Sequence, residues 1–261
     1  MMASKAIVLR DMWVRIPPAA LTRGLRDRKL VLFLAGEDLS ASQIARTARI
    51  PRSTVRDWLG PRPPRAKQEL VLDPRSLPAA HYSYLLGFYL GDGWISRGKR
   101  DVYRLRIKTD SRYPGLIAEC AEAMAALMPK NKVLIQKMPY NAVEIGCSSK
   151  MWPLLFPQHG PGHKHERQIE LVHWQQEIVD RFPREFLRGL IHSDGCRVLN
   201  RVNGKDYPRY FFTQVSDDIR GLFCEACRRL GIHHTQNNWK TISIARSGSV
   251  ARLDEFVGPK V

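Results

Sequence analysis

Between Asp27 and Gly36 the apolar residues Leu30, Val31 and Leu34 fall at helical spacing, which predicts a first helix ending at the glycine. Ser40 stands where it can cap a second helix through Gln43, Ile44 and Ala45. Pro51 suits the first turn of a third helix, which runs on through RSTVRDWL with Val55, Trp58 and Leu59 turned inward. Residues 1–60 thus read as a small three-helix module. The pattern then breaks. From Gly60 to Ala80 the chain holds five of its 17 prolines and no period, which predicts a linker at 61–80.

Beyond the linker the pattern occurs twice. YLLGFYLGDGWIS at 84–96 and FLRGLIHSDGCRV at 186–198 are each an apolar helix running into Asp-Gly. A basic or aromatic strand follows in each case (YRLRIKT, YFFTQVS), then a helix, two more strands and a short helix. The prediction is an α+β fold with two tandem α-β-β-α-β-β-α halves, at 81–180 and 181–261. In one motif helix Gly87 and Gly91 lie four apart, as do Gly189 and Ser193 in the other. Each helix therefore carries a stripe of small residues on one face, which suits close packing of the two backbones. Such packing brings Asp92 and Asp194 together. One Asp-Gly pair is no more than a helix ending in a turn; two at matched positions suggest a site.

Charge narrows the partner. Lys and Arg number 42 against 25 for Asp and Glu, a net charge of +17, and the excess is largest in residues 1–80. Basic residues are interleaved with apolar ones throughout, so the charge belongs to folded surfaces facing a polyanion, nucleic acid first. No apolar run approaches the roughly 18 residues of a membrane span, and the five cysteines form no disulfide framework. A cytoplasmic protein without a membrane or a required protein partner is expected. Cys224 and Cys227 have zinc spacing but fall within a helix without a second pair, which favours two packed cysteines. His159, His163 and His165 read as loop or phosphate-contacting residues.

LLGFYLGDG (Leu85 to Gly93) and LRGLIHSDG (Leu187 to Gly195) resemble two copies of the LAGLIDADG motif of homing endonucleases. The resemblance covers about residues 81–261. It implies a monomeric DNA-binding saddle of two pseudo-symmetric halves, each laying a four-stranded sheet on double-stranded DNA. It also implies double-strand cleavage across a minor groove with short 3′ overhangs. Asp92 and Asp194 would bind divalent metal, with Gly91 and Ser193 beside them in the metal set; Mg²⁺ or another hard cation such as Mn²⁺ suits oxygen ligands. The family's first motif acid is replaced here by Leu90 and His192, and the histidine is expected to satisfy a neighbour at the helix interface. The family's basic residue near each metal maps to Lys164 in GPGHKHERQI, with Arg167 close by, and to Lys260 in VGPKV. Some bacterial regulators carry LAGLIDADG-like domains, so a DNA-binding regulator is the alternative reading.

LSASQIARTARIPRSTVRDWL resembles the helix-turn-helix of bacterial regulators and recombinases. That resemblance places Arg52, Ser53, Thr54 and Arg56 toward the major groove. Arg49 stands where the turn usually holds glycine and is strained if its φ is positive. In the larger module Arg104, Arg106 and Lys108 alternate with Leu105 and Ile107, giving one basic and one apolar strand face. Tyr210, Phe212 and Gln214 are expected to serve as their counterparts on the second DNA-facing strand.

Overall fold

The computed structural model describes residues 23–60, 70–258 and 260. They belong to two compact units divided between Glu69 and Leu70. Residues 1–22, Pro259 and Val261 lie outside the described residues, as does the expected linker at 61–69.

In the smaller unit α1 (Arg23–Gly36), α2 (Ala41–Ala48) and α3 (Arg52–Trp58) enclose Val31, Leu34, Ile44, Ile50 and Val55 in a core of their own. Ser40 caps α2 reciprocally. Its hydroxyl accepts from the Gln43 amide at 3.4 Å, and Gln43 Oε1 accepts from the Ser40 amide at 2.9 Å. Arg49 ends the helix at φ 54°, ψ 41°, the left-handed conformation that costs a side-chain-bearing residue about 1–2 kcal/mol. The turn lets the Ile50 amide reach the Ala45 carbonyl at 3.1 Å and sends Ile50 into the core. Trp58 packs on this core, but Leu59, expected to point inward, lies past the last turn of α3 and stays exposed.

The larger unit begins earlier than the composition suggests. Leu72 and Leu77, within the stretch expected to be linker, pack against its core, and Asp73 caps a short turn by accepting from the Arg75 amide at 3.0 Å. Its first half consists of α4 (Ala79–Asp92), β1 (Gly93–Arg97), β2 (Tyr103–Asp110), α5 (Pro114–Leu127), β3 (Val133–Met138), β4 (Ala142–Ser149) and α6 (Trp152–Leu155). A further helix, α7 (His173–Arg181), leads to the second half. That half is α8 (Pro183–Asp194), β5 (Gly195–Val202), β6 (Lys205–Thr213), α9 (Asp217–Arg229), β7 (Thr235–Asn238), β8 (Thr241–Ile244) and α10 (Ser247–Asp254). Both halves run α-β-β-α-β-β-α. Their antiparallel sheets share one strand order, β1-β2-β4-β3 and β5-β6-β8-β7.

Register relates the halves residue by residue. Gly93 pairs with Ile107 and Gly195 with Phe212, so the buried Leu105 and Ile107 of β2 correspond to the buried Tyr210 and Phe212 of β6. One apolar core runs through both halves, with α4 buried along Tyr82–Leu90 at its centre. A helix that is apolar all round and too short for a bilayer belongs in such a core. Among the described residues no helix is long and apolar enough to cross a membrane.

Candidate active site and nucleic-acid face

The two motif helices meet backbone to backbone. A Cβ built on Gly87 would stand 2.3 Å from the Phe186 carbonyl oxygen, and one on Gly189 would stand 2.1 Å from that of Tyr84. No larger residue fits at either crossing point. One turn further on, a Cβ on Gly91 would collide with Ser193 Oγ at 2.1 Å and come within 2.8 Å of Asp194 Oδ2. The small-residue stripes therefore face each other and bring the carboxylate-bearing ends of α4 and α8 side by side. This is the crossing that the two motif copies lead one to expect.

Asp194 is half-buried and Asp92 keeps an exposed edge, yet each carboxylate is partly desolvated beside the other. Asp92 is held above the usual carboxylate range by burial, against the pull of Lys164 and Lys260. Burial first and the Asp92 charge second push Asp194 up to about 6, opposed by Lys164, by a hydrogen bond from Gln214 and by Lys260. Gln214 Nε2 donates to Asp194 Oδ2 at 2.6 Å. Among the described residues no third carboxylate, histidine or cysteine joins these two in a metal-binding group.

Two lysines complete the site from opposite sides. Lys164 Nζ donates to the carbonyls of Leu90 at 2.9 Å and Gly91 at 2.6 Å, reaches that of Tyr89, and lies 5.0 Å from the Tyr89 ring centre. It neutralises the negative end of the α4 dipole. Burial draws its pKa down to about 8, while Asp194 and Asp92 pull the other way. Arg167 supports the loop that carries it, donating from Nη1 to the carbonyls of Gly160, Pro161 and Gly162 at 2.8, 2.9 and 3.0 Å. Lys260 Nζ donates to the Gly195 carbonyl at 2.6 Å and to that of Ser193 at 3.4 Å, and burial lowers its pKa as well.

The segment leading to Lys260 is held by residues whose role the sequence does not announce. Arg188 Nη1 donates to the Phe256 carbonyl at 2.8 Å, and Nη2 donates to Glu119 at 2.8 Å. His192, at the place of the missing motif acid, does satisfy neighbours at the helix interface. Its Nε2 lies 3.1 Å from the Val257 carbonyl and its Nδ1 lies 3.1 Å from the Tyr84 hydroxyl. A carbonyl only accepts, which assigns the proton to Nε2 and leaves Nδ1 to accept from the tyrosine. Burial lowers this imidazole to about 4, so it is neutral in the fold. Leu90, at the matching place in α4, is fully buried.

On β2 the expected alternation holds. Arg104, Arg106 and Lys108 share the face opposite the buried Leu105 and Ile107. On β6 the expected face is corrected. Tyr210 and Phe212 are buried, the tyrosine hydroxyl donating to Asp254 Oδ1 at 2.6 Å and the phenylalanine stacking on Phe223 at 4.2 Å between ring centres. Gln214 lies beyond the strand, at the carboxylates. The residues that occupy the open face are Arg209, Phe211 and Thr213, one step out of phase. In the smaller unit Arg52, Ser53 and Arg56 are exposed along α3, and Thr54 is half-buried. Cys227 is buried and Cys224 half-buried on α9, neither in a disulfide. His159 and His163 line a cavity of about 460 Å³ beside Lys164, Arg167 and Trp94, while His165 stacks on His163.

No family model and no curated protein matches the chain. Solved structures do. I-DmoI in complex with DNA and Ca is 20% identical over 68% of this chain and 89% of its own, with a TM-score of 0.48. The N-terminal LAGLIDADG domain of WhiA is 13% identical over 71% of this chain and 88% of its own, with a TM-score of 0.44. The LAGLIDADG meganuclease I-AabMI bound to uncleaved DNA is 13% identical over 67% and 82%, with a TM-score of 0.42.

Proposed function

We propose that this chain is a site-specific, divalent-metal-dependent endonuclease of double-stranded DNA. One observation carries the reading: two carboxylates, one from each half, stand together at the ends of crossing helices and share their surroundings with two half-buried lysines. Asp92 and Asp194 raise each other's cost of ionisation, and a cation between them relieves it. All the donors in reach are hard oxygens, which fits Mg²⁺ or Mn²⁺ better than zinc. Such an ion would be held by Asp92 and Asp194, with Gly91 and Ser193 beside them, and would supply Lewis acidity toward water and the departing 3′ oxygen.

The chain's own groups act around those carboxylates. Gln214 fixes the Asp194 carboxylate through its amide, leaving the remaining lone pairs in place. Asp194 and Asp92 favour the charged form of Lys164 against the burial that opposes it. Lys164 offsets charge gathering on the scissile phosphate. Lys260 takes the same part in the second half. The basic face of β2 and the exposed side of α3 neutralise backbone phosphate and present donors to base edges.

A second reading, a DNA-binding regulator that does not cut, is favoured by one contact set. Lys164 and Lys260 donate to the Gly91 and Ser193 carbonyls, so ammonium groups already satisfy oxygens assigned to the metal set.

The test is incubation with a randomised plasmid library and Mg²⁺, followed by sequencing of the ends. Wild-type protein is expected to leave double-strand breaks at a recurrent sequence. Asp92→Asn or Asp194→Asn should slow cutting by about 100-fold or more while gel-shift affinity stays close to wild type. Unimpaired cutting by either variant sinks the metal assignment. Sequence-selective binding with no breaks in Mg²⁺ or Mn²⁺ establishes the regulator instead.

A further inference from the structure

The two sheet faces differ at nearly every matched position. In the first half Arg104 Nη2 donates to Glu144 Oε1 at 3.2 Å and to Gln136 Oε1 at 3.1 Å. Arg106 Nε lies 3.6 Å from the same carboxylate oxygen, and its guanidinium sits 5.4 Å from the centre of the Trp94 ring. Glu144 is only 8% exposed, on a strand face otherwise given to cations. Gly146 provides the space: a Cβ there would stand 3.0 Å from Arg104 Nε and 3.1 Å from Nη2. The Nε atoms of Arg104 and Arg106 are buried without a hydrogen-bond partner among the described residues. One carboxylate, one amide, one indole and one missing side chain thus hold two guanidinium groups in set planes.

In the second half register replaces most of these parts. Trp94 becomes Cys196, Arg106 becomes Phe211, Lys108 becomes Thr213, Glu144 becomes Thr241 and Gly146 becomes Ser243. The Thr213 and Thr241 hydroxyls bond each other at 3.1 Å where the first half has a lysine facing a glutamate. Two parts keep a like counterpart: Gln136 in Asn238, and Arg104 in Arg209, which lies 5.5 Å from the Phe211 ring centre.

We infer that Glu144 and Gly146 position Arg104 and Arg106 as a guanine-reading pair, so that the DNA site is asymmetric, with guanine required under the first half and no matching requirement under the second. A guanidinium held in one plane meets the paired O6 and N7 acceptors of guanine in the major groove, and a carboxylate behind it removes the freedom to swing toward phosphate. Glu144 is a positioning residue; it orients the arginines and does not itself read the base. The inference rests on the DNA-binding reading above.

The experiment is a binding selection from a duplex library with a randomised 24-base-pair core, using the full-length chain as wild type, Glu144→Gln and Gly146→Ala. All three are checked for a common thermal midpoint. Wild type should enrich guanine at one or two positions on one side of the site centre. Both variants should lose about ten- to a hundred-fold of that preference, the range of one bidentate arginine–guanine pair, with the other side unchanged. Guanine preference that is equal on both sides, or untouched in either folded variant, overturns the inference while leaving DNA binding intact. Failure of the wild type to bind any duplex overturns both the inference and the reading beneath it. If the variants fold poorly, the one-sidedness of wild-type enrichment still decides the matter.

Discussion

At the scale of the residue, the informative positions are those where a side chain sits against its ordinary preference. Arg49 bears a left-handed backbone that a glycine adopts freely, and its side chain is exposed. Arg49→Gly is therefore expected to stabilise the smaller unit by about 0.5–1 kcal/mol, the relieved strain less the extra freedom glycine has when unfolded. Urea unfolding followed by Trp58 fluorescence, with the other tryptophans replaced, measures it. A destabilised variant would show that the arginine side chain holds something the turn needs. Arg49 was readable as strained from its place in the motif. The partners of His192 were not: they lie 108 and 65 residues away, at Tyr84 and Val257, and no local pattern announces such contacts.

Elements are placed by what their faces allow. The small-residue stripes on α4 and α8 are legible because a four-residue spacing always repeats on one side of a helix. Their consequence is steep. Gly87→Ala or Gly189→Ala places a methyl against backbone that cannot move aside, and should cost about 3 kcal/mol or more in stability or leave no folded protein. Gly221→Ala, in α9 with nothing within 4 Å of the new Cβ, should instead gain about 0.5–1 kcal/mol by helix propensity alone. Thermal denaturation of the three variants checks the contrast, and equal losses would contradict the crossing geometry. β6 shows the opposite case. YFF offers three aromatic residues in a row, so a period of two has no unique phase, and a slip of one residue exchanges the faces. Pairing of Gly195 with Phe212 settles the phase, which is why Tyr210 and Phe212 turn inward and Arg209 and Phe211 outward.

For the whole molecule, both carboxylates come from one chain, so one copy contains both halves of the site. The basic excess is largest in residues 1–80, at 15 basic to 7 acidic side chains, and α3 leaves Arg52 and Arg56 exposed. If the smaller unit reads DNA as a helix-turn-helix, deleting residues 1–60 should shorten the protected footprint on one side. It should also flatten the dependence of affinity on salt, by about one unit of slope per lost phosphate contact. The truncated protein should still cut at high concentration. Footprinting at two or more salt concentrations reads both effects. An unchanged footprint and slope would assign the smaller unit to a protein partner.

The sequence by itself determined the repeated order of elements, the pair of motif helices and the two aspartates, because period, spacing and small-residue stripes are local properties that survive without neighbours. It also marked the basic face of β2, where charge and apolarity alternate without ambiguity. Tertiary structure alone decided which face β6 turns outward. It alone showed that Arg188 and His192 hold the segment carrying Lys260, and that Glu144 lies buried behind two arginines. Each of those depends on groups brought together across strands or across a hundred residues of chain, and burial, hydrogen-bond partners and charge environment exist only once that approach has been made.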